Sequence, residues 1–123
     1  MSYVILQLKK NGLHAYEDSD TIKMCILGDF LSSDVGCDGT GFKDWFYDDA
    51  QDASNSNVTS FWKEGDYIIL VDMLSEEEDP TELKMTRDQF IKVLNEWLDV
   101  VCVHKPQEVT ITEVNGEFIF ETK

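Results

Sequence analysis

The residues of this chain with the clearest chemical potential are carboxylates. Asp48, Asp49 and Asp52 stand close enough to hold a divalent cation. On a helix Asp48 and Asp52, at i and i+4, share a face, whereas Asp49 points away. No histidine joins them, so a two-metal hydrolytic centre lacks its usual partners. The segment 34–39, Asp-Val-Gly-Cys-Asp-Gly, carries acids at positions 1 and 5 and glycine at 6 of a calcium loop. Gly36 fills position 3 and Trp45 position 12, which removes one ligand and the bidentate glutamate, so a polar loop is the better reading. His14 and His104 are the only histidines and read as structural or surface groups. His104 follows a long helical pattern, where a cation suits the C-terminal end of the dipole. There is no Gly-rich phosphate loop, no CxxC, no HExxH and no GxSxG. The expectation is a protein that is not an enzyme and needs no cofactor or metal.

What the carboxylates can do together is attract a cation the size of a protein. The net charge is −15 on 123 residues. Residues 29–82 hold fifteen Asp/Glu against Lys43 and Lys63, whereas the flanking segments are close to balanced. So one-sided a field repels nucleic acid and anionic membrane and draws in a basic partner. The run Glu76-Glu77-Glu78-Asp79 lies in this segment with Asp66, Asp72 and Glu82. Crowded acids repel one another, and a basic partner relieves that repulsion. Aromatic residues interleave with them: Trp45 and Tyr47 between Asp44 and Asp48, and Trp62 beside Lys63. One or two exposed rings there would anchor an otherwise charged interface. The candidate partner-binding set is Asp44, Trp45, Tyr47, Asp48, Asp49, Asp52, Trp62, Asp66, Asp72, Glu76, Glu77, Glu78 and Asp79.

The elements that must carry these residues follow from periodicity. The length fits one domain, and 42% hydrophobic residues are ample for a core. No run approaches the ~20 apolar residues of a membrane span, and the N-terminus has no basic leader. Three cysteines at wide spacing, Cys25, Cys37 and Cys102, predict free thiols in a reducing cytoplasm. Residues 3–8 read as a strand running into an Asn11-Gly12 hairpin, with a return through 13–16. Residues 22–27 form a second apolar run, 32–41 a loop, 42–50 a short helix, and 52–57 an exposed turn. Segments 58–62 and 67–73 read as strands; the continuous apolar run 68–71 marks the second as central and covered on both faces. Residues 83–85 add a short strand. Thr86 and Gln89 form a capping box for a helix over 86–102 with Trp97 on its apolar face. Residues 108–114 and 117–122 form a hairpin on Asn115-Gly116, with Val109, Ile111, Phe118 and Phe120 on one face. The predicted fold is α+β: a single, mostly antiparallel sheet of five to seven strands packed on the long helix.

One stretch resembles a known group. Tyr67-Ile68-Ile69-Leu70-Val71-Asp72, the acids of 76–82, Leu83-Lys84-Met85, and the capped helix from Thr86 through Trp97 follow one another in order. Over residues 66–99 this is similar to the C-terminal half of small bacterial immunity proteins of polymorphic toxin systems, contact-dependent growth-inhibition immunity proteins among them. The resemblance implies a cytosolic antitoxin that binds one cognate basic toxin domain, often a nuclease, and blocks its active site. No inhibitory residue carries over individually; the set above rests on charge. Three other readings compete: a nucleic-acid mimic that blocks a DNA- or RNA-binding protein, a metal-dependent hydrolase built on Asp48 and Asp52, and an acidic structural protein.

Overall fold

The computed structural model describes residues 2–8, 14–37, 41–55 and 58–123, without the side chains of 14–16. The elements run β1 (Ser2–Leu8), β2 (His14–Ser19), α1 (Ile22–Asp29), α2 (Gly41–Tyr47), β3 (Ala53–Asn55), β4 (Thr59–Glu64), β5 (Tyr67–Asp72) and β6 (Glu82–Thr86). Then follow α3 (Arg87–Asn95), α4 (Cys102–His104), β7 (Glu108–Val114) and β8 (Glu117–Thr122). Two π-helical turns prolong helices: Phe30–Val35 continues α1, and Glu96–Val101 joins α3 to α4.

The strands form two antiparallel four-stranded sheets, ordered β2-β1-β7-β8 and β3-β4-β5-β6. This corrects the expected single sheet; the α+β class stands. In the first sheet Val4 lies between Ser19 and Ile111, and Leu6 between Glu17 and Val109. In the second, Phe61, Leu70 and Leu83 align across three strands, beside Ile68 and Met85. These apolar rows join α1, α2 and α3 in one hydrophobic cluster. β5 is central, as its apolar run predicts, and Ile68, Ile69, Leu70 and Val71 are all buried.

Helix α1 occupies the apolar run 22–27, and Phe30–Val35 extends it through residues read from sequence as loop. Thr21 caps it, accepting from the Met24 N–H at 3.3 Å. Gly28 is required by close packing: a Cβ there would overlap Glu17 Oε1 and lie 2.9 Å from Val4 Cγ2. Thr86 caps α3, accepting from Gln89 N–H at 3.1 Å. The reciprocal half of the capping box is absent, because Gln89 Oε1 accepts from Phe118 N–H of β8 instead, at 3.4 Å. Pairing helix to sheet satisfies an otherwise unused edge donor. Helix α2 ends at Tyr47, three residues before the expected boundary.

The two π-helical turns meet at Gly36. Trp97, fully buried, donates from Nε1 to the Gly36 carbonyl at 2.8 Å. Beside it Cys37 and Cys102 form a disulfide across 65 residues of sequence, and Cys25 is the free thiol. This corrects the expectation of three free cysteines: tertiary packing brings the Cys37 and Cys102 Cα atoms to 5.5 Å. The hairpin β7–β8 forms as predicted, with positive φ at Asn115 (52°) and Gly116 (85°) and with Val109, Ile111 and Phe118 buried on one face. The Asn11-Gly12 turn and Asp38 of the calcium-like segment lie outside the described residues.

Candidate functional site

All ten carboxylates of the predicted set are exposed. Among the described residues the ion pairs are Lys43–Asp99 and Lys123–Glu108, so none of the ten is neutralised by one. The fold divides them into two groups at opposite ends of the second sheet. The antiparallel register places Glu64 opposite Tyr67 and Thr59 opposite Asp72. Asp66 therefore sits at the β4–β5 turn and Asp72 at the far end, about 20 Å away at the rise of a strand.

Asp48 and Asp52 belong with Asp66. Lys63 N–H donates to the Asp52 carbonyl at 2.7 Å. Its Nζ donates to the carbonyls of Trp45 at 2.7 Å and Asp48 at 2.6 Å, and stands 4.6 Å from the Trp45 ring centroid. Lys63 thus adds a second, charge-assisted hydrogen bond to two carbonyls at and just past the end of α2, which also accept from Asp48 N–H and Gln51 N–H at 3.2 Å, and fixes the start of the acidic loop. Replacing it as Lys63→Met should cost about 1–2 kcal/mol, the worth of charge-assisted hydrogen bonds in a partly wet site. Denaturant midpoints and faster amide exchange over 45–52 would register the loss. Asp48 Oδ1 accepts from its own loop, at Ala50 N–H (3.0 Å). Asp49 and Asp44 are exposed nearby, Asp44 in the first turn of α2.

The aromatic members separate. Trp45 is 5% exposed and packs edge-on against Phe61 at 4.7 Å, with Phe90 at 6.0 Å. It belongs to the core and is not available as an anchor, because an aromatic cluster around Phe61 and Phe90 takes its whole ring. Tyr47 is 68% exposed, and Trp62 is half-buried with its Nε1 donating to Glu64 Oε2 at 3.3 Å.

At the other end Asp72 organises a tight turn: its Oδ1 accepts from Leu74 N–H at 2.9 Å and its carbonyl from Ser75 N–H at 3.2 Å. Glu76, Glu77, Glu78 and Asp79 follow in an exposed loop. Sequence reasoning passed over the apolar residues here. Ile22, Met73 and Leu74 are 62%, 40% and 66% exposed. Met73 and Leu74 interrupt an acidic segment, and that was the signal available in the sequence.

Asp34 is a structural carboxylate. Its oxygens accept from the N–H groups of Val58 (3.2 Å) and Thr59 (3.0 Å), tying the π-helical turn to β4. His104 is exposed in the last turn of α4, where its position near the helix end was expected.

A second carboxylate cluster was not foreseen. Glu17 on β2 meets Cys25 and Asp29 on α1, with potential ligand atoms within 4.8 Å of one another. Oε1 of Glu17 is buried without a hydrogen-bond partner. Burial first, then a hydrogen bond with Asp29 and the Asp29 charge, push the Glu17 carboxyl up to about 8. Burial, with the charges of Asp29 and Glu17, pushes the Cys25 thiol up to about 11. A metal binding at this cluster would have to displace these protons. The folded state retains the Glu17 proton that the unfolded chain releases near 4.5. Its contribution to stability is therefore full below about 4.5 and is lost as pH rises to about 8. Glu17→Gln should remove this component, so that the difference in thermal midpoint between variant and wild type grows in the variant's favour from pH 5 to pH 8. A difference independent of pH would mean that Glu17 ionises freely.

Among the described residues no helix is long and apolar enough to cross a membrane. Comparison with known protein families, with curated proteins and with solved structures found no match.

Proposed function

We infer that the protein is an acidic inhibitor of the immunity-protein kind, which binds a cognate basic toxin domain, in the first place a nuclease, in the bacterial cytoplasm. The observation that carries this reading is the set of ten exposed carboxylates with no ion pair among the described residues. Leaving so many like charges uncompensated works against compactness and favours association with a cation. A nuclease cleft is positive because it must hold phosphates. An acidic surface complements it, speeds encounter and covers the substrate path. The protein acts by binding, without a catalytic step: its candidate site offers carboxylates and rings, not a nucleophile paired with a base. A reducing cytoplasm would hold Cys37 and Cys102 as thiols; the Trp97–Gly36 hydrogen bond keeps the same neighbours together.

A nucleic-acid mimic would space its charges along one face as phosphates are spaced. Here the two carboxylate groups are separated by the β4–β5 length, and the row of residues between them that faces away from Phe61 and Leu70 is half-buried Trp62, buried Ile69 and cationic Lys84, with no carboxylate. That favours a single shaped partner over a mimic.

The test is co-expression with the product of the gene directly upstream. If that product is a basic toxin, growth should be rescued by this protein and a stoichiometric complex should form. A toxic product that is neither bound nor neutralised would remove the reading. Retention of many nucleic-acid-binding proteins, released together by salt, would favour the mimic.

A further inference from the structure

The two acidic ends of the second sheet are not equivalent: among the described residues the Asp72 end combines charge with exposed aliphatic side chains, the β4–β5 end with exposed tyrosines. At the Asp72 end a groove of about 170 Å³ opens between the first turn of α1 and the β5–β6 loop. Ile22, Ile26 and Pro80 form its apolar wall, and Asp72 and Glu77 its acidic one. Ile22 is 62% exposed. Met73 and Leu74, 40% and 66% exposed, occupy the turn between Asp72 and Ser75, two residues that line the groove. Exposed apolar side chains grouped at a groove are the kind of feature that marks a contact surface.

The turn that presents them is built. Asp72 Oδ1 holds Leu74 N–H at 2.9 Å, Met73 N–H donates to the Val58 carbonyl at 2.9 Å, and Glu77 N–H donates to Ser75 Oγ at 3.3 Å. Thr21 caps the helix turn that carries Ile22. An ordered rim loses less conformational entropy when a partner arrives. Glu76, Glu78, Asp79 and Glu82, all exposed on the same β5–β6 segment, add to the acidic collar that Asp72 and Glu77 begin. The β4–β5 end, by contrast, offers Tyr47 and Tyr67, 68% and 41% exposed, with carboxylates; Lys84 Nζ already stands 4.3 Å from the Tyr67 ring centroid, and Trp45 is withdrawn into the core.

We propose that the groove between Ile22 and Pro80, with Met73 and Leu74 at its rim, is the primary docking point for a cationic protein that inserts an apolar side chain flanked by lysines or arginines. The proposal rests on the inhibitor reading for its partner and locates where that partner is gripped. Charge decides the occupant. A nucleic acid or an anionic bilayer meets the collar with like charge, and so does a second copy of this chain, whereas a basic protein satisfies the collar and the apolar centre together.

Two probe peptides of equal positive charge test it at low salt on the ¹⁵N-labelled full chain. One is an amphipathic helix of Lys and Leu; the other places Ser wherever the first has Leu. The Lys/Leu peptide should bind at least ten-fold more tightly and shift the amides of 22–26 and 72–81. The doubly substituted variant Ile22→Ser, Leu74→Ser changes two exposed residues and leaves the core untouched. It should lose that ten-fold advantage while binding the Lys/Ser peptide as before. Equal affinity for the two peptides, shifts centred on 48–66, or an advantage that survives in the variant would each overturn the proposal. Those outcomes leave rescue by co-expression intact if the inhibitor reading holds. Peptides that dock here alongside failed rescue would retain the docking point and remove the inhibitor.

Discussion

Reducing the Cys37–Cys102 disulfide should lower the thermal unfolding midpoint by roughly 15 °C while leaving the native fold in place at 25 °C. The bond closes a loop spanning 65 residues of sequence. Confining that much chain removes loop-closure entropy from the unfolded state worth about 4 kcal/mol in the chain-entropy account. For a domain of this length, unfolding entropy converts that into the stated shift. The fold survives reduction because the join is made twice: Trp97 Nε1 still donates to Gly36, and both π-helical turns stay anchored by Phe30, Leu31, Trp97 and Val101 in the core. Melting curves with and without reductant check it. Cys102→Ser should reproduce the reduced midpoint and become insensitive to reductant, whereas Cys25→Ser should keep the full response. A reductant-insensitive wild type would mean that the bond does not constrain the unfolded chain.

Association with the proposed basic partner should slow by 10- to 1,000-fold between low and high ionic strength, with far less change in dissociation. Ten exposed carboxylates in two groups set up a field that extends beyond contact distance. At 0.15 M salt the screening length is about 8 Å, so steering fades while short contacts persist. Replacing Glu76, Glu77, Glu78 and Asp79 by their amides should give a slower, less salt-dependent on-rate. The fold should be unaffected, because these side chains are exposed and make no ion pair among the described residues. Stopped-flow association across a salt series measures both. A flat on-rate would assign the acidity to solubility and leave recognition to the apolar groove.

What was legible in the chain was local. The Asn115-Gly116 turn needs positive φ at both positions and takes it, so the last hairpin follows from two residues and the alternation around them. Thr86 caps α3 because its hydroxyl competes only with neighbouring backbone. The apolar run of β5 announced a central strand because no charge interrupts it. Helix α1 was less readable. Residues 22–27 are apolar on nearly every side, so periodicity does not separate helix from strand; packing between two sheets, with glycine at position 28, decides it.

The candidate site divides along the same line. By itself the sequence determined that residues 29–82 carry a concentrated negative charge and that the carboxylates would be exposed, because ionised groups remain in water unless paired. Only the tertiary structure decided how that charge is arranged. Antiparallel register sends Asp66 and Asp72 to opposite ends of a sheet, the aromatic cluster around Phe61 withdraws Trp45, and the β5–β6 turn sets Leu74 beside a groove that Ile22 helps to form. The disulfide and the Glu17–Asp29 pair are also products of packing. The disulfide joins residues 65 apart in the chain and the carboxyl pair joins a strand to the helix that follows it, and no rule of spacing or periodicity specifies either contact before the core closes.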